Sequence, residues 1–215
     1  MPAPPVPRLG RLLAAAAAAL SVCAAPANAT LPSGADPPGA EVCHTASAEE
    51  LAASGARQVA VTLPNVLLQP MHGAPVALTQ RIRTADAVLL NFIYTSCTSI
   101  CPPMAHIFAT AQARMGARAA ELQLVSVSID PEHDSPKRLQ AYAALFRAGP
   151  QWSFHTGSQA AVDKVQRAFQ VYRPDKMGHQ PVTFIKPRGQ DGWLRIDGLA
   201  KPEQLVALAL GSPVK

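Results

Sequence analysis

The chain has 215 residues, 48% of them hydrophobic and 15% charged, with a formal net charge of +5. That length and mix suit one domain with a core of ordinary size and exclude a disordered, highly charged chain. The basic residues are scattered without interleaved aromatics, and neither a phosphate loop nor an internal repeat occurs, so no nucleic acid is expected as a partner.

The first 29 residues read as a secretory signal peptide. Arg8 and Arg11 form a positive start, 12–25 is a short alanine-rich apolar run, and Ala27-Asn28-Ala29 fits the small-x-small cleavage rule. The run is too short, and too poor in large residues, for a membrane span. An alternative is carried by Leu20-Ser21-Val22-Cys23, which resembles a lipoprotein box and would anchor the chain through a lipid on Cys23. Both readings put the domain in the periplasm, and cleavage after Ala29 leaves a net charge near +3. Residues 30–56 are rich in Pro, Ala, Gly and Ser and read as a flexible tether, with a short helix at 46–54. The folded domain is expected over 57–212.

From residue 58 the texture changes. Strands are expected at 59–63 and 66–68, a turn at 71–75 and a return strand at 76–78, which makes an N-terminal β-hairpin extension. The apolar run 87–94 reads as a buried central strand. A helix is expected over 102–118, with Met104, Ile107, Phe108, Ala111 and Met115 on one face and proline tolerated in its first turn. Residues 122–129 read as a second buried strand ending at Asp130-Pro131. Ser135-Pro136 opens a helix to 146, 152–156 is a short strand, and Ser158 caps a helix to 172. A strand at 182–186, a turn at 189–192, a partner strand at 193–197 and a helix at 201–210 close the chain. Strands and helices alternate and a hairpin follows. The expected fold is α/β, a central mixed sheet with helices on both faces.

Cys97 and Cys101 fall between the first central strand and its helix, at the carboxyl edge where open α/β sheets carry functional loops. A helix N-terminus favours thiolate over thiol, and two close thiols form a disulfide or hold a soft metal. A disulfide closing so few residues removes little chain entropy, which argues against a purely structural bridge. With the signal removed, Cys43 is the third cysteine, and an odd count leaves one unpaired in an oxidising compartment. Cys43-His44 reads as incidental; the alternative is an accessory metal or resolving site.

A dithiol on a strand-to-helix loop, with Pro181 entering a strand much later, is thioredoxin-like architecture, and it brings the residues just before Pro181 toward the sulfurs. His179 is one of them. Two thiolates and an imidazole suit Cu(I), and Zn(II) less specifically.

The segments 90–102 (LNFIYTSCTSICP), 127–136 (VSIDPEHDSP) and 152–157 (WSFHTG) resemble the Sco/SenC family of copper-binding thioredoxin-fold proteins, and the resemblance covers about 58–210. Ordinary thioredoxins space their cysteines three apart, whereas these are four apart and followed by proline. The resemblance implies one copper ion per chain, Cu(I) or Cu(II), held by Cys97, Cys101 and His179. It implies Asp130 in the outer shell and a role in building the dinuclear copper centre of cytochrome c oxidase. The expected partners are a copper-accepting oxidase subunit and an upstream copper donor or thiol reductant. The chain departs from the family where Met177-Gly178 precedes the histidine in place of an aspartate. The same cysteines also serve a thiol–disulfide oxidoreductase that reduces such a site or other exported proteins. For that reading Cys97 and Cys101 are the redox pair, and His179 is the residue it does not require.

Overall fold

The computed structural model describes residues 54–211. The signal peptide, the Cys23 anchor, Cys43-His44, and the tether and helix expected up to 53 lie outside the described residues.

The described chain forms one eight-stranded sheet in the order β1-β8-β7-β4-β5-β6-β2-β3. The strands are β1 (Ala56–Val59), β2 (Leu67–Pro70), β3 (Val76–Ala77), β4 (Ala87–Ile93), β5 (Leu122–Ser128), β6 (Trp152–Thr156), β7 (Val182–Lys186) and β8 (Trp193–Asp197). The α-helices are α1 (Leu78–Arg83), α2 (Cys101–Met115), α3 (Pro136–Leu145), α4 (Gln159–Ala168) and α5 (Pro202–Leu210). Every residue of β4 is buried, as expected of an apolar strand covered on both faces. It runs parallel to β5 and antiparallel to β7, and β6 continues parallel to β5.

The crossovers between these parallel strands run through α2 and α3, and both helices pack on one face. Phe108 of α2 meets Trp152 at 5.7 Å between ring centroids, and Tyr142 of α3 meets Phe154 at 6.1 Å. Helix α5 packs beside α2. On the opposite face Phe169, just past α4, touches Phe92, Phe184 and Trp193 at 5.7, 4.7 and 5.1 Å. Burying each such ring is worth about 1.5–3 kcal/mol, and edge-to-face contacts add to it. A buried polar chain crosses the central strands: Trp152 Nε1 donates to Ser126 Oγ at 2.9 Å, and Ser126 Oγ donates to Asn91 Oδ1 at 2.7 Å.

The expected fold class and the 66–78 hairpin are present, with Leu67 opposite Ala77 and Leu68 opposite Val76. Four local expectations are corrected. The strand expected at 59–63 lies at Ala56–Val59, on the far edge of the sheet against β8; beyond it Pro64 takes a turn, its carbonyl accepting from Val66 N. Leu78 opens the short helix α1 instead of ending a strand, and its side chain is buried. The helix expected over 102–118 starts at Cys101 and stops at Met115, where Gly116 takes φ +49 and a 3₁₀ turn follows. The helix expected to 172 stops at Ala168, two residues before Gln170 takes φ +57. The hydroxyls of Ser135 and Ser158 cap α3 and α4 by accepting from Arg138 N and Ala161 N.

Candidate functional site

The end of β4 leads through Tyr94-Thr95-Ser96 into the dithiol. The turn is closed by Cys97 N donating to Tyr94 O at 3.1 Å, and Cys101 is the first residue of α2. Pro102 and Pro103 follow at positions whose N–H groups would have no intrahelical partner, so they start the helix without losing a hydrogen bond. Both thiols are free and buried.

The two sulfurs are not equivalent. Burial pushes the Cys97 thiol up. The Cys101 thiol and the N–H groups of Cys101, Ser99 and Ile100 outweigh it and bring the pKa to about 7. One of these donors is Cys101 N, 3.3 Å from Cys97 Sγ. Cys101 is pushed strongly upward by its deeper burial and then by the neighbouring Cys97 sulfur. Around neutral pH Cys97 therefore passes from thiol to thiolate while Cys101 stays a thiol.

Asp134 fastens this loop to the end of β5. Buried in full, it accepts from Thr95 N at 3.0 Å, Thr95 Oγ1 at 2.5 Å and Ser128 Oγ at 2.6 Å. Sequence reasoning missed this role. Its only signal was the charged run Asp130–Asp134 directly after a buried strand. Asp130 is buried too and accepts from Lys176 Nζ at 2.6 Å, with His133 Nδ1 at 2.9 Å from its other oxygen. Burial raises the Asp130 carboxyl, but Lys176 and His133 together hold it below its ordinary value. Asp130 thus forms an ion pair to the loop that carries His179.

That loop is a 3₁₀ turn at Lys176–Gly178, capped by the Asp175 carboxylate accepting from Met177 N at 2.9 Å. His179 follows, buried, with Nε2 3.0 Å from the carbonyl of Phe92, the second-last residue of β4. A carbonyl only accepts, so this contact assigns the proton to Nε2 and leaves the lone pair on Nδ1. Burial lowers the His179 pKa; the Phe92 hydrogen bond opposes it, and the ring is neutral at neutral pH. The ring borders a cleft lined also by Asp130, Asp175 and Lys176. Among the described residues no three His, Cys, Asp or Glu side chains gather at metal-holding distance. The sulfurs stand as a pair and His179 as a single donor beside the strand that feeds them.

Two more side chains join the edge. The Tyr94 hydroxyl donates to Met177 Sδ at 3.7 Å, and Lys176 Nζ lies 5.7 Å from the Tyr94 ring centroid. Burial, then the Cys97 side chain, push the Tyr94 hydroxyl up to about 12, so it stays a donor. Three other described histidines have other settings. His133 pairs with Asp130, His106 packs edge-on to Phe146 at 5.4 Å, and His155 Nε2 lies 3.0 Å from Ser153 Oγ.

The family model described as SCO1/SenC matches residues 71–190, a stretch that contains the dithiol, Asp130, Asp134 and His179. The chain belongs to the SCO1/SenC family. A SCO1 protein homolog of Bacillus subtilis (strain 168) is 37% identical over 112 residues, 48% of this chain; the match spans 57% of that relative's length. The solved structure of BsSco, identified with a disulfide switch and as a member of the Sco family of cytochrome c oxidase assembly proteins, aligns with TM-score 0.56 at 25% identity. It covers 66% of this chain and 86% of that one. Bradyrhizobium japonicum ScoI, solved with copper bound, shares the fold at TM-score 0.55 and 24% identity, over 66% of this chain and 92% of that one. The thioredoxin-like fold of this SCO1/SenC chain is thereby established.

Proposed function

We propose that this SCO1/SenC protein is an exported, periplasmic copper metallochaperone. It binds one copper ion through Cys97, Cys101 and His179 and delivers it to an apo copper site, the dinuclear centre of cytochrome c oxidase. The observation that carries the reading is the unequal pair, a Cys97 thiolate near neutral pH beside the Cys101 thiol, with neutral His179 docked on the strand that leads to it. Copper bound to ScoI, and the assembly role named for BsSco, support the same cargo and recipient.

The donor set fits Cu(I): thiolates and imidazole are soft to intermediate ligands. Copper is the cargo here. Its binding takes the proton from Cys101, so affinity rises with pH. The 176–179 loop moves toward the sulfurs to add His179, and the Lys176–Asp130 pair is the contact it must carry along or release. A recipient's cysteines then displace the ligands one at a time, without a free ion.

The test is titration of the reduced full chain with Cu(I), read by competition with a Cu(I) chelator. Cys97→Ala and Cys101→Ala abolish binding, and His179→Ala weakens it at least about tenfold while sparing thiol alkylation. A His179→Ala protein that binds as tightly as the parent removes the three-ligand site.

A second reading, thiol–disulfide oxidoreductase, is favoured by the same inequality of the sulfurs. The Cys97 thiolate attacks a partner's disulfide and forms a mixed disulfide. Cys101 gives up its proton, displaces the partner's second thiolate and closes the Cys97–Cys101 disulfide. The partner gains two electrons, and an external dithiol resets the pair. This reading predicts that His179→Ala reduces a partner disulfide at the parent's rate.

A further inference from the structure

We propose that Met177 Sδ is a capture ligand for Cu(I) at the rim of the dithiol: it takes the ion first and passes it to Cys97. The inference rests on the copper-carrier reading and adds to it a residue outside the three expected ligands.

The residue is 73% exposed, which places a soft donor in solvent, whereas the described residues bury their other large apolar groups with few exceptions. Yet it is held in place. The 3₁₀ turn beneath it is capped by Asp175, the preceding Lys176 is tied to buried Asp130, and the sulfur itself accepts from the Tyr94 hydroxyl at 3.7 Å. Tyr94 lies three residues before Cys97, and its carbonyl accepts from Cys97 N. The Tyr94 hydroxyl therefore touches Met177, and the Cys97 side chain in turn acts on that hydroxyl. Two residues beyond Met177 stands His179.

The chemistry of a thioether fits a first, weak contact. It carries no proton to lose, so it meets a cation at any pH, whereas Cys101 must be deprotonated. It selects Cu(I) and leaves Zn(II), Mg(II) and Ca(II) to harder ligands. A thiolate and imidazole site by itself accepts Zn(II) as well. A thioether at the rim thus adds a selection that the inner ligands lack. Transfer runs downhill from a neutral sulfur to an anionic one, with the ion changing ligands and no electron moving.

The experiment compares the reduced full chain with its Met177→Leu variant, a change at an exposed position that keeps the size of the side chain. Cu(I) is supplied as its bicinchoninate complex, and its transfer is followed by stopped-flow absorbance. The loading rate is expected to fall at least about fivefold in Met177→Leu, while the equilibrium affinity changes less than about threefold. Iodoacetamide labelling of Cys97 should keep its rate, which shows the dithiol undisturbed. In protein labelled with ¹³C-methyl methionine, the Met177 methyl resonance is expected to shift with substoichiometric Cu(I) and to stay in place with Zn(II). Equal loading rates in the two proteins, or a Met177 methyl silent to Cu(I), overturn the inference while the copper-carrier reading stands. A parent chain that takes up no Cu(I) overturns both.

Discussion

The two cysteines differ because one receives hydrogen bonds and the other receives burial. Cys97 collects the Cys101 thiol and three backbone N–H groups, while Cys101 is fully enclosed at the start of α2. Alkylation of the reduced protein should therefore label Cys97 alone at neutral pH. Its rate should rise with a midpoint near pH 7, followed by mass spectrometry against pH. A midpoint near 9, or equal labelling of both sulfurs, defeats the assignment. Asp134 is the residue that sets the loop's position. Asp134→Ala leaves Thr95 N, Thr95 Oγ1 and Ser128 Oγ without their acceptor, and should cost about 3 kcal/mol in urea unfolding. A loss under about 1 kcal/mol would mean that water replaces the carboxylate there. At this scale the spacing of Cys97 and Cys101 was legible, because it is written in five consecutive residues. Their inequality was not, because it depends on which N–H groups point inward.

The element that decides the site is the short 3₁₀ turn before β7. Two side-chain contacts hold it to the sheet edge, Lys176 to Asp130 and Met177 to Tyr94. Lys176 is 36% exposed on its side chain, but Asp130 is only 7% exposed, so the pair is screened on one side alone. Lys176→Ala should raise hydrogen exchange at the amides of Gly178 and His179, which bond to Asp175 O and Lys176 O, by about tenfold. Amides of β4 and β7 should not change. Unaltered exchange at 178 and 179 would show that the ion pair does not hold the loop. The long elements were readable because their apolar runs and caps are local: Ser135 and Ser158 start the helices where a hydroxyl before a polar first turn should. This turn was not, because three residues carry no period. The same holds for α1, six residues long, and for β1, whose place depends on the distant strand β8.

Across the molecule, stability should depend on acid through His155. It is 1% exposed, and burial first and Arg81 second lower its pKa from 6.5 to about 4. Between those values the unfolded chain binds a proton that the folded chain refuses. Stability is therefore complete above about pH 6.5 and falls as pH drops toward 4, by on the order of 3 kcal/mol. His179, also lowered, adds in the same direction. Urea midpoints at pH 7.5, 5.5 and 4.5 should show this acid limb in the parent and a flatter one in His155→Gln; matching limbs would put the sensitivity elsewhere. The alternation of strands and helices, the central buried strand, and a dithiol where that strand hands over to a helix are all written in the order of the residues. These are short-range patterns of apolarity, proline and cysteine. Which carboxylates hold the loops, which nitrogen of His179 carries the proton, and that the Met177 sulfur meets Tyr94 follow from the packed fold alone. The contacts that decide them join residues 39, 46, 83 and 87 positions apart, and no local pattern encodes a pairing made when the sheet brings its strand ends together.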